Sequence, residues 1–405
     1  MNTRVTSLSG SSRKRVGVIL SGQPTDGGKF QYALTVLRSL EAGDPAHWDL
    51  AAFLVGQPGW RERLDFARWE IFDVQKSIPD RIVRRAILAL PGGLCLWRRV
   101  SMRLDPLGRK LAAFRPDLVI YLNNERFAYE LSSPSVMPVH DLMHRYESRF
   151  PEVGDAREVR FRERHYHALA RYCRAFLVDS AVGKAHLAES YGVAPPRIYV
   201  LPFVAPTHLL PLIHASENAV VRALPERFMF YPAQFWKHKN HEGLVRAVAL
   251  LRGKGVVVPL VFCGSGKNSR IETQALIAEL GLIGQITIID YVSDADLVAL
   301  YRKAAALVMP TFFGPTNIPP LEAHMLGCPV VISGTYGMPE QLGDAAEYFD
   351  PASPQSIANA IERVWCSTSR ASELVERGRE RHAGWNASHH AMRLASILAE
   401  LLEID

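Results

Sequence analysis

The sequence contains few cysteines, and their spacing matches neither a zinc site nor a disulfide framework. No CxxC pair or nearby His cluster occurs among them; they are Cys95, Cys173, Cys263, Cys328 and Cys366. Scattered cysteines of this kind are typical of a reducing compartment. We therefore predict a cytoplasmic protein without a zinc site.

Long hydrophobic runs are also missing. A membrane-spanning helix needs roughly 18 apolar residues, whereas the longest candidates, VGVIL and VVVPLVF, have the length of buried strands. The N-terminal MNTRVTSLSGSSRKR is polar and basic, which argues against a signal peptide or an anchor. We expect a disordered tail at residues 1–14 and a soluble body.

Acidic residues are nearly absent from residues 81–115, where nine Arg or Lys accompany the single Asp105. This excess is larger than the net charge of +6 of the whole chain. Because Leu, Ile and Trp97 lie between the basic residues, the segment fits peripheral contact with an anionic membrane. Amphipathic helices with ordinary solvated arginines explain it as well. Sparse aromatic residues and the lack of a recognition motif argue against nucleic acid as a partner.

Apolar segments alternate with helical segments along the 405 residues, which predicts βαβ units, parallel sheets and two domains. The predicted strands are residues 16–20, 117–122, 136–139, 175–179, 228–232, 259–264, 286–290 and 306–310. Proline-rich residues 202–225 interrupt the alternation and predict the domain linker. Asn240, Ser293 (in a capping box with Asp296) and Ser353 are predicted helix N-caps.

Ligands of open parallel sheets bind at the carboxyl ends of the strands, and the distinctive residues of this sequence follow predicted strands. Two glycine-containing turns there offer backbone N–H groups to a phosphate, Asp26-Gly27-Gly28-Lys29 and G-S-G-K-N-S at 264–269. The second turn matches neither GxGxxG nor the P-loop pattern. Tight turns without a ligand explain both segments, so the residues alone leave phosphate binding open.

Lys237, His238 and Lys239 lie between a predicted strand and a predicted helix. A lysine at this place could neutralise charge that develops on a departing phosphate, a large catalytic effect in a site without a metal. A pair of surface lysines would leave the same pattern.

The strongest signal is TFFGPTNIPPLEAHMLGCPVVIS at residues 311–333. Its glycine and its small or rigid residues let backbone amides approach a ligand, and two prolines begin a helix. Glu322 falls in the first turn of this helix, where a carboxylate either contacts the ligand or only complements the helix dipole.

Seven segments, in order, resemble the retaining GT-B glycosyltransferases of family 4, the glycosyl transferases group 1. They are DGGKFQYAL, VHDLMHRYESRFPE, YPAQFWKHKNHEGLVRA, IIDYVSDADLVALYRKAA, GPTNIPPLEA, GCPVV and GMPEQLGDAAEYFDPASPQSIANAI. The variants PAQFW-HKN and FFGPTN-PPLEA are similar to a subgroup active on lipopolysaccharide O-antigen or related surface polysaccharides, often with mannose or a deoxyhexose.

The resemblance implies an α/β GT-B fold, with two Rossmann-like domains facing each other across a cleft. We expect the acceptor-binding domain at residues 15–207 and the donor-binding domain at 208–385. Residues 386–405 would form a C-terminal helix that returns to the first domain.

The resemblance also implies a donor site in which His140 contacts the sugar, Lys239 the diphosphate and Glu322 the ribose hydroxyls. Further donor-binding residues implied are Gly27, Gly28, Gln234, Lys237, Gly264, Tyr291, Val292, Gly314, Pro315, Thr316, Asn317 and Ile318. No metal and no other cofactor is expected, because no DxD-type or His-carboxylate cluster lies beside the phosphate-binding loops.

Two positions depart from the family pattern. Gly314 stands where most members carry an acidic residue, and Gln234 stands where most carry an arginine.

The implied reaction is transfer of a hexose or deoxyhexose, mannose first, from a nucleotide-diphosphate sugar to a glycan or lipid-linked acceptor, with retained configuration. The alternatives are a non-catalytic nucleotide-sugar-binding scaffold and a sugar-nucleotide epimerase of the same architecture. We expect such an enzyme in the cytoplasm, where it could contact the inner face of the membrane peripherally.

Overall fold

A computed structural model describes residues 13–22, 28–43, 47–56, 58–65, 67–216 and 218–403. Residues 1–12 of the predicted tail and Gly27 lie outside this part of the chain. None of the helices in the described ranges is both long and apolar enough to cross a membrane.

Strands lie at or near all the predicted positions and at further places. In chain order they are β1 Lys14–Leu20, β2 Trp48–Val55, β3 Trp69–Val74, β4 Leu118–Tyr121, β5 Ser135–Pro138, β6 Ala175–Val178, β7 Ile198–Val200, β8 Met229–Pro232, β9 Leu260–Cys263, β10 Ile286–Ile289, β11 Ala306–Met309, β12 Val330–Ser333 and β13 Glu347–Phe349. One sheet has the order β3-β2-β1-β4-β5-β6-β7, and the other has the order β10-β9-β8-β11-β12-β13.

Both sheets are built on parallel pairs. In the first sheet β1 pairs in parallel with β2 and β4, and in the second β8 pairs in parallel with β9 and β11. In each sheet the strand order reverses beside the first strand in the chain, which is the arrangement of a doubly wound fold. The prediction of two α/β units with parallel sheets is confirmed.

Helices separate the strands. The α-helices are α1 Gly28–Glu41, α2 Ile78–Leu88, α3 Gly93–Leu104, α4 Pro106–Phe114, α5 Phe127–Glu130, α6 Met143–Tyr146, α7 Pro151–Gly154, α8 Ala156–Tyr172, α9 Ala181–Tyr191, α10 Ala219–Arg222, α11 His241–Gly253, α12 Arg270–Glu279, α13 Asp294–Lys303, α14 Pro319–Leu326, α15 Met338–Leu342, α16 Pro354–Trp365, α17 Thr368–Gly384 and α18 Ala387–Leu402. Turns of 3-10 helix occur at Pro58–Arg63, Pro195–Arg197, Thr207–Leu212 and Lys237–Lys239.

The second sheet forms the centre of a large apolar core. Every residue of β11 and of β12 is buried. Phe230, Leu244 and Tyr301 pack in the same core and are fully shielded from solvent. Strands buried on both faces are expected of a parallel sheet, and they explain why ALVM and VVIS are continuously apolar.

The three predicted N-caps are confirmed, and they fix the loops that precede their helices. The side chains of Asn240, Ser293 and Ser353 each accept a hydrogen bond from a backbone N–H of the first helical turn. The reciprocal bond predicted for a capping box at Ser293 is replaced, because the Asp296 carboxylate accepts from the Ser293 hydroxyl and from Asn218.

Contacts divide the chain into two compact units. The first comprises the described residues up to Pro138, Ala168–Phe176 and the residues from Ala391, and the second comprises Val139–His167 and Leu177–His390. Helix α18 therefore begins in the second unit and ends in the first. The two sheets lie on either side of residue 207 in the chain, but the predicted division at 207 and 208 stays a prediction.

Candidate active site

The centre of the candidate site is Lys239, in the second unit, on the turn that follows β8. The Tyr231 hydroxyl donates a hydrogen bond to the Lys239 carbonyl at 2.9 Å, which holds the turn to the strand. The Lys239 Nζ donates to the Asn317 Oδ1 at 3.4 Å. The lysine-containing turn and the GPTN segment, which the sequence separates by 78 residues, thus meet at one ammonium group.

The charge of Lys239 is kept by two carboxylates. Burial lowers the pKa of Lys239 to about 8, and the negative charges of Asp141 and Glu152 oppose this decrease. The ammonium form therefore predominates at neutral pH. A cation in a partly desolvated place interacts with a phosphate more strongly than one in water.

Glu152, on α7, binds the lysine-containing turn directly. Its Oε1 accepts a hydrogen bond from the His238 backbone N–H at 2.8 Å and a second one from the His238 Nδ1. Its Oε2 accepts from the Asn268 Nδ2 at 3.2 Å. Burial works to raise the pKa of Glu152, but these hydrogen bonds outweigh it and lower the pKa to about 2. An ionised carboxylate thus ties α7 to the loops after β8 and β9.

The His238 ring is neutral and stacked. Burial lowers the pKa of His238 to about 4, although Glu152 works against this decrease. The ring lies nearly parallel to that of Phe313, with centroids 4.0 Å apart. Because an ionised Glu152 only accepts hydrogen bonds, the neutral ring must carry its proton on Nδ1. The backbone on both sides of Lys239 is therefore held by packing and hydrogen bonds.

His140 and Asp141 follow β5, as the sequence predicts. The Asp141 Oδ1 accepts hydrogen bonds from the Arg162 Nη1 at 3.0 Å and from the Met143 N–H at 3.1 Å. Burial works to raise the pKa of Asp141, and the charge of Arg162 and the Met143 hydrogen bond lower it. The half-buried His140 ring lies beside Phe203, with centroids 6.2 Å apart.

The GPTN loop is held from two sides. The Asp179 Oδ2 accepts hydrogen bonds from the Thr316 N–H at 3.0 Å and from the Thr316 hydroxyl. The Gln341 side chain accepts from the Asn317 N–H at 3.0 Å and donates to the Asn317 carbonyl at 2.7 Å. Burial raises the pKa of Asp179 to about 6, although the hydrogen bonds from Thr316 oppose it. Pro315 is buried, and Ile318 precedes α14.

Gly314 is required by this loop conformation. Its φ is +121°, and a Cβ there would lie 2.9 Å from the Asn317 Nδ2. An acidic side chain would therefore displace the side chain that contacts Lys239. The glycine that departs from the family pattern is therefore what leaves space for the Lys239–Asn317 contact.

Glu322 lies in the first turn of α14 and is 9% exposed. The Tyr301 hydroxyl donates a hydrogen bond to its Oε2 at 2.7 Å. Burial raises the pKa of Glu322 to about 7, and the Tyr301 hydrogen bond opposes the increase. The carboxyl group is thus oriented by Tyr301, and a carboxyl in this position can accept hydrogen bonds from vicinal hydroxyls.

The other predicted residues of the loops after β8, β9 and β10 have varied surroundings. The Gln234 Oε1 accepts from the Trp236 Nε1 at 2.9 Å, and the Lys237 Nζ pairs with Glu242 at 2.8 Å. At Gly264 a Cβ would lie 2.1 Å from the Ala233 carbonyl oxygen, so only glycine fits. Tyr291 is 86% exposed, and Val292 packs against the core.

The remaining predictions concern the first glycine turn and metals. Gly28 is the first residue of α1, in the first unit, whereas Gly27 is not described. Across the described ranges, no three His, Cys, Asp or Glu side chains form a group that could hold a metal ion.

Sequence reasoning missed Glu152, Asp179 and Gln341 as parts of the site. Asp179 and Gln341 touch the predicted residues Thr316 and Asn317, and Glu152 touches His238, next to the predicted Lys239. Glu152 lies within the quoted FPE segment, but no spacing rule joins it to a turn 86 residues later.

Residues 215–381 match the family model described as Glycosyl transferases group 1. The chain is similar to this family over that segment. The segment contains Lys239, Gly314, Asn317 and Glu322, and the predicted family resemblance is confirmed there.

Curated relatives similar to this chain include two O-antigen enzymes. The chain is 27% identical over 216 residues to O-antigen chain mannosyltransferase B of Escherichia coli. This alignment covers 52% of this chain and 56% of the relative. It is 26% identical over 195 residues to O-antigen chain mannosyltransferase RfbU of Salmonella typhimurium, which covers 47% of this chain and 51% of the relative. The chain thus spans about half the length of either relative.

Solved structures resemble the whole chain. Sucrose-phosphate synthase from Thermosynechococcus elongatus superposes with a TM-score of 0.71 at 19% identity, covering 97% of this chain and all of the other. HepE of Anabaena, in complex with UDP and glucose, gives a TM-score of 0.65 at 13% identity over 96% of this chain and 100% of its own. These similarities confirm the GT-B fold class.

Proposed function

We propose that this protein is a metal-independent, retaining glycosyltransferase. It transfers a hexose or deoxyhexose, mannose first, from a nucleotide-diphosphate sugar to a glycan or lipid-linked acceptor in surface polysaccharide synthesis. The observation that carries the proposal is the Lys239 ammonium group, which is bonded to Asn317 and kept charged by Asp141 and Glu152. The names of the two curated relatives support mannose as the first donor to test.

The proposed chemistry is group transfer between positioned partners. Lys239 stabilises the charge that grows on the diphosphate as the bond to the sugar breaks, and the Ile318 amide before α14 adds a dipole. Glu322 holds the ribose hydroxyls and fixes the register of the donor. A donor phosphate oxygen takes the proton of the acceptor hydroxyl, which attacks on the face that the nucleotide leaves.

The geometry favours this function over a non-catalytic scaffold. Gly314 and Gln234 suggested a scaffold because both depart from the family pattern. In the loop, however, Gly314 leaves room for Asn317 beside Lys239, and Gln234 is engaged with Trp236. A cation is therefore available for the proposed role although the family arginine is missing.

A donor screen tests the proposal. GDP-, UDP- and dTDP-linked sugars, with GDP-mannose first, are each mixed with the protein. The Tm of the protein and the release of nucleotide are measured, and Glu322→Ala is the matched variant. We expect one donor to stabilise the wild type and to be consumed, and the Glu322 variant to lose the stabilisation. Binding without nucleotide release would support a scaffold, and an epimerised nucleotide sugar would support an epimerase.

We also propose that α2 docks the protein on an anionic membrane. Every residue of α2, which is described in full, is exposed or half-buried; Ile78, Ile82 and Val83 are 72%, 60% and 42% exposed. Arg81 and Arg85 are exposed on the same helix. Apolar side chains beside arginines suit an interface that combines acyl chains with anionic headgroups.

Not every basic residue of the predicted segment 81–115 is available for lipid. Arg84 donates to the Glu130 carboxylate, with Nε at 2.7 Å from Oε2, and Arg98 donates to the Leu131 carbonyl at 2.8 Å. Trp97 is buried. These residues serve the fold of the first unit, so the proposed membrane contact is limited to the exposed part of the segment.

A further inference from the structure

The first sheet has its own topological switch point, between β1 and β4. The strand order runs from β1 to β2 and β3 on one side and to β4 and β5 on the other. Open parallel sheets bind ligands in the crevice outside the carboxyl ends of the strands at such a point. Ser21 follows β1 there, and Glu125 follows β4.

Ser21 and Glu125 are joined, and one carboxylate oxygen is left over. The Ser21 hydroxyl donates a hydrogen bond to the Glu125 Oε1. Glu125 is only 8% exposed, yet its Oε2 has no hydrogen-bond partner among the described residues. An unsatisfied buried polar atom costs free energy and calls for an explanation, and a bound ligand is one.

The backbone beside this pair is fixed. The Trp60 Nε1 donates a hydrogen bond to the Gly22 carbonyl at 2.7 Å, and the Trp60 ring packs on Phe30 with centroids 4.7 Å apart. Ser21 is therefore held between β1 and a buried indole. The free oxygen of Glu125 belongs to a preorganised site rather than to a loose side chain.

Among the described residues, no unpaired cation that could hold an anionic ligand acts on Glu125. Lys76 and Tyr121 are the charged or titratable groups that act on the carboxyl group in the described structure, besides its bond to Ser21. Lys76 is already paired with Asp105 at 3.0 Å and lies 3.7 Å from the centre of the Phe127 ring. Burial raises the pKa of Glu125 to about 8, and the Ser21 hydrogen bond and Lys76 oppose the increase.

The geometry points to Glu125, supported by Ser21, as a binding residue for a hydroxyl group of a neutral sugar at the switch point of the first sheet. This inference rests on the proposed glycosyltransferase function, since an acceptor sugar is the ligand that such a residue would hold. A sugar hydroxyl can donate to the unpartnered Oε2 of the ionised carboxylate and can accept from the O–H of the protonated form, whereas the acceptor oxygens of a phosphate suit only the protonated form. The bond is strongest when the carboxyl group is ionised.

Binding of simple glycosides to the full chain tests the inference without any donor. The probes are methyl α-glycosides of mannose, glucose, galactose, rhamnose and N-acetylglucosamine, followed by saturation-transfer NMR. We expect at least one to bind the wild type, with affinity that increases from pH 6.5 to pH 9. Glu125→Ala should weaken binding about tenfold or more at pH 8.5, and Ser21→Ala several-fold.

Two further variants separate binding from folding. Glu125→Gln keeps the shape of the side chain and cannot ionise, so its affinity should be independent of pH and should approach the wild-type value at pH 6.5. Asp117→Asn is the matched acid-to-amide control before β4, where the Asp117 carboxylate accepts from the Arg15 N–H at 2.7 Å, and it should bind like the wild type.

The inference is overturned if no glycoside binds the wild type, if Glu125→Ala binds as tightly as the wild type, or if Glu125→Gln keeps the pH dependence. Stabilisation by a nucleotide sugar is recorded in parallel and should be unchanged in Glu125→Ala. If no nucleotide sugar stabilises the wild type, that result would count against the proposed function alone, because the glycoside titration needs no nucleotide.

Discussion

The Lys239 Nζ and the Asn317 Oδ1 lie 3.4 Å apart, and this contact joins the turn after β8 to the GPTN loop. Asn317 can occupy that position because Gly314 has no side chain. A diphosphate bound at this contact would meet one charged group beside a loop that Asp179 and Gln341 hold in place. Protein contacts alone hold this arrangement, as preorganised electrostatic catalysis requires.

Replacement of Lys239 should impair the chemical step more than binding. We expect Lys239→Ala to lower kcat about 100- to 1000-fold, because the charge on the leaving diphosphate grows in the transition state. Lys237→Ala is the matched control and should keep kcat within a few-fold, since Lys237 is paired with Glu242. Steady-state kinetics of both variants give the comparison. Near-normal turnover of Lys239→Ala would mean that Lys237 or main-chain amides carry the charge.

The pH dependence should follow the ammonium group of Lys239. Burial lowers the pKa of Lys239 to about 8, so kcat/KM should fall as the pH rises through this value and the charge is lost. Lys239→Arg should show no such fall, because arginine stays protonated.

Glu152→Gln should move the alkaline fall of kcat/KM instead of removing it. Removing a carboxylate that raises the pKa of Lys239 should shift the alkaline fall of kcat/KM to lower pH. An unchanged alkaline limb in both Lys239→Arg and Glu152→Gln would assign this limb to another group.

Substitutions of Glu322 and of Lys239 should affect different kinetic parameters. Glu322→Ala should raise the donor KM about tenfold with a smaller effect on kcat, because ribose contacts are equal in the ground and transition states. Tyr301→Phe removes only the hydroxyl that orients the Glu322 Oε2, and it should raise KM less. Donor KM and kcat of the two variants are compared with the wild type. A kcat defect with unchanged KM in Glu322→Ala would move this residue to the reacting centre.

Membrane binding should depend on α2. Wild-type protein should pellet with anionic liposomes at low salt and be released at high salt. Ile82→Ser/Val83→Ser and Arg81→Glu/Arg85→Glu should both abolish pelleting. Arg109→Glu/Lys110→Glu makes the same charge change at exposed residues of α4 and should pellet like the wild type. Equal losses in the α2 and α4 charge variants would indicate general electrostatic attraction instead.

Strands and helix starts could be predicted from the sequence where they carry a local residue pattern. Continuous apolar segments such as ALVM marked the buried strands, and Asn240, Ser293 and Ser353 marked helix starts. β7 and β13 have three residues each, which is too short for a periodic pattern. The basic segment was predicted as one surface, but Arg84 and Arg98 face partners that lie 46 and 33 residues away in the chain.

The site was predictable where residues follow strands, and not where they are held by distant partners. Lys239 and Gly314 were predicted from loops that follow strands, and Asn317 was implied by the family resemblance. Glu152 and Asp179 were not, because they reach His238 and Thr316 across 86 and 137 residues. Such contacts depend on the packing of whole elements, which no local spacing encodes.

The decisive measurement is the anomeric configuration of the transferred sugar, followed by NMR with excess EDTA and the donor found in the screen. An α-linked donor should give an α-linked product at a rate that neither EDTA nor added manganese changes, because Lys239 supplies the positive charge that a metal provides in other sites. A β-linked product, or turnover that EDTA stops and manganese restores, would show that the protein is not the retaining, metal-independent glycosyltransferase proposed.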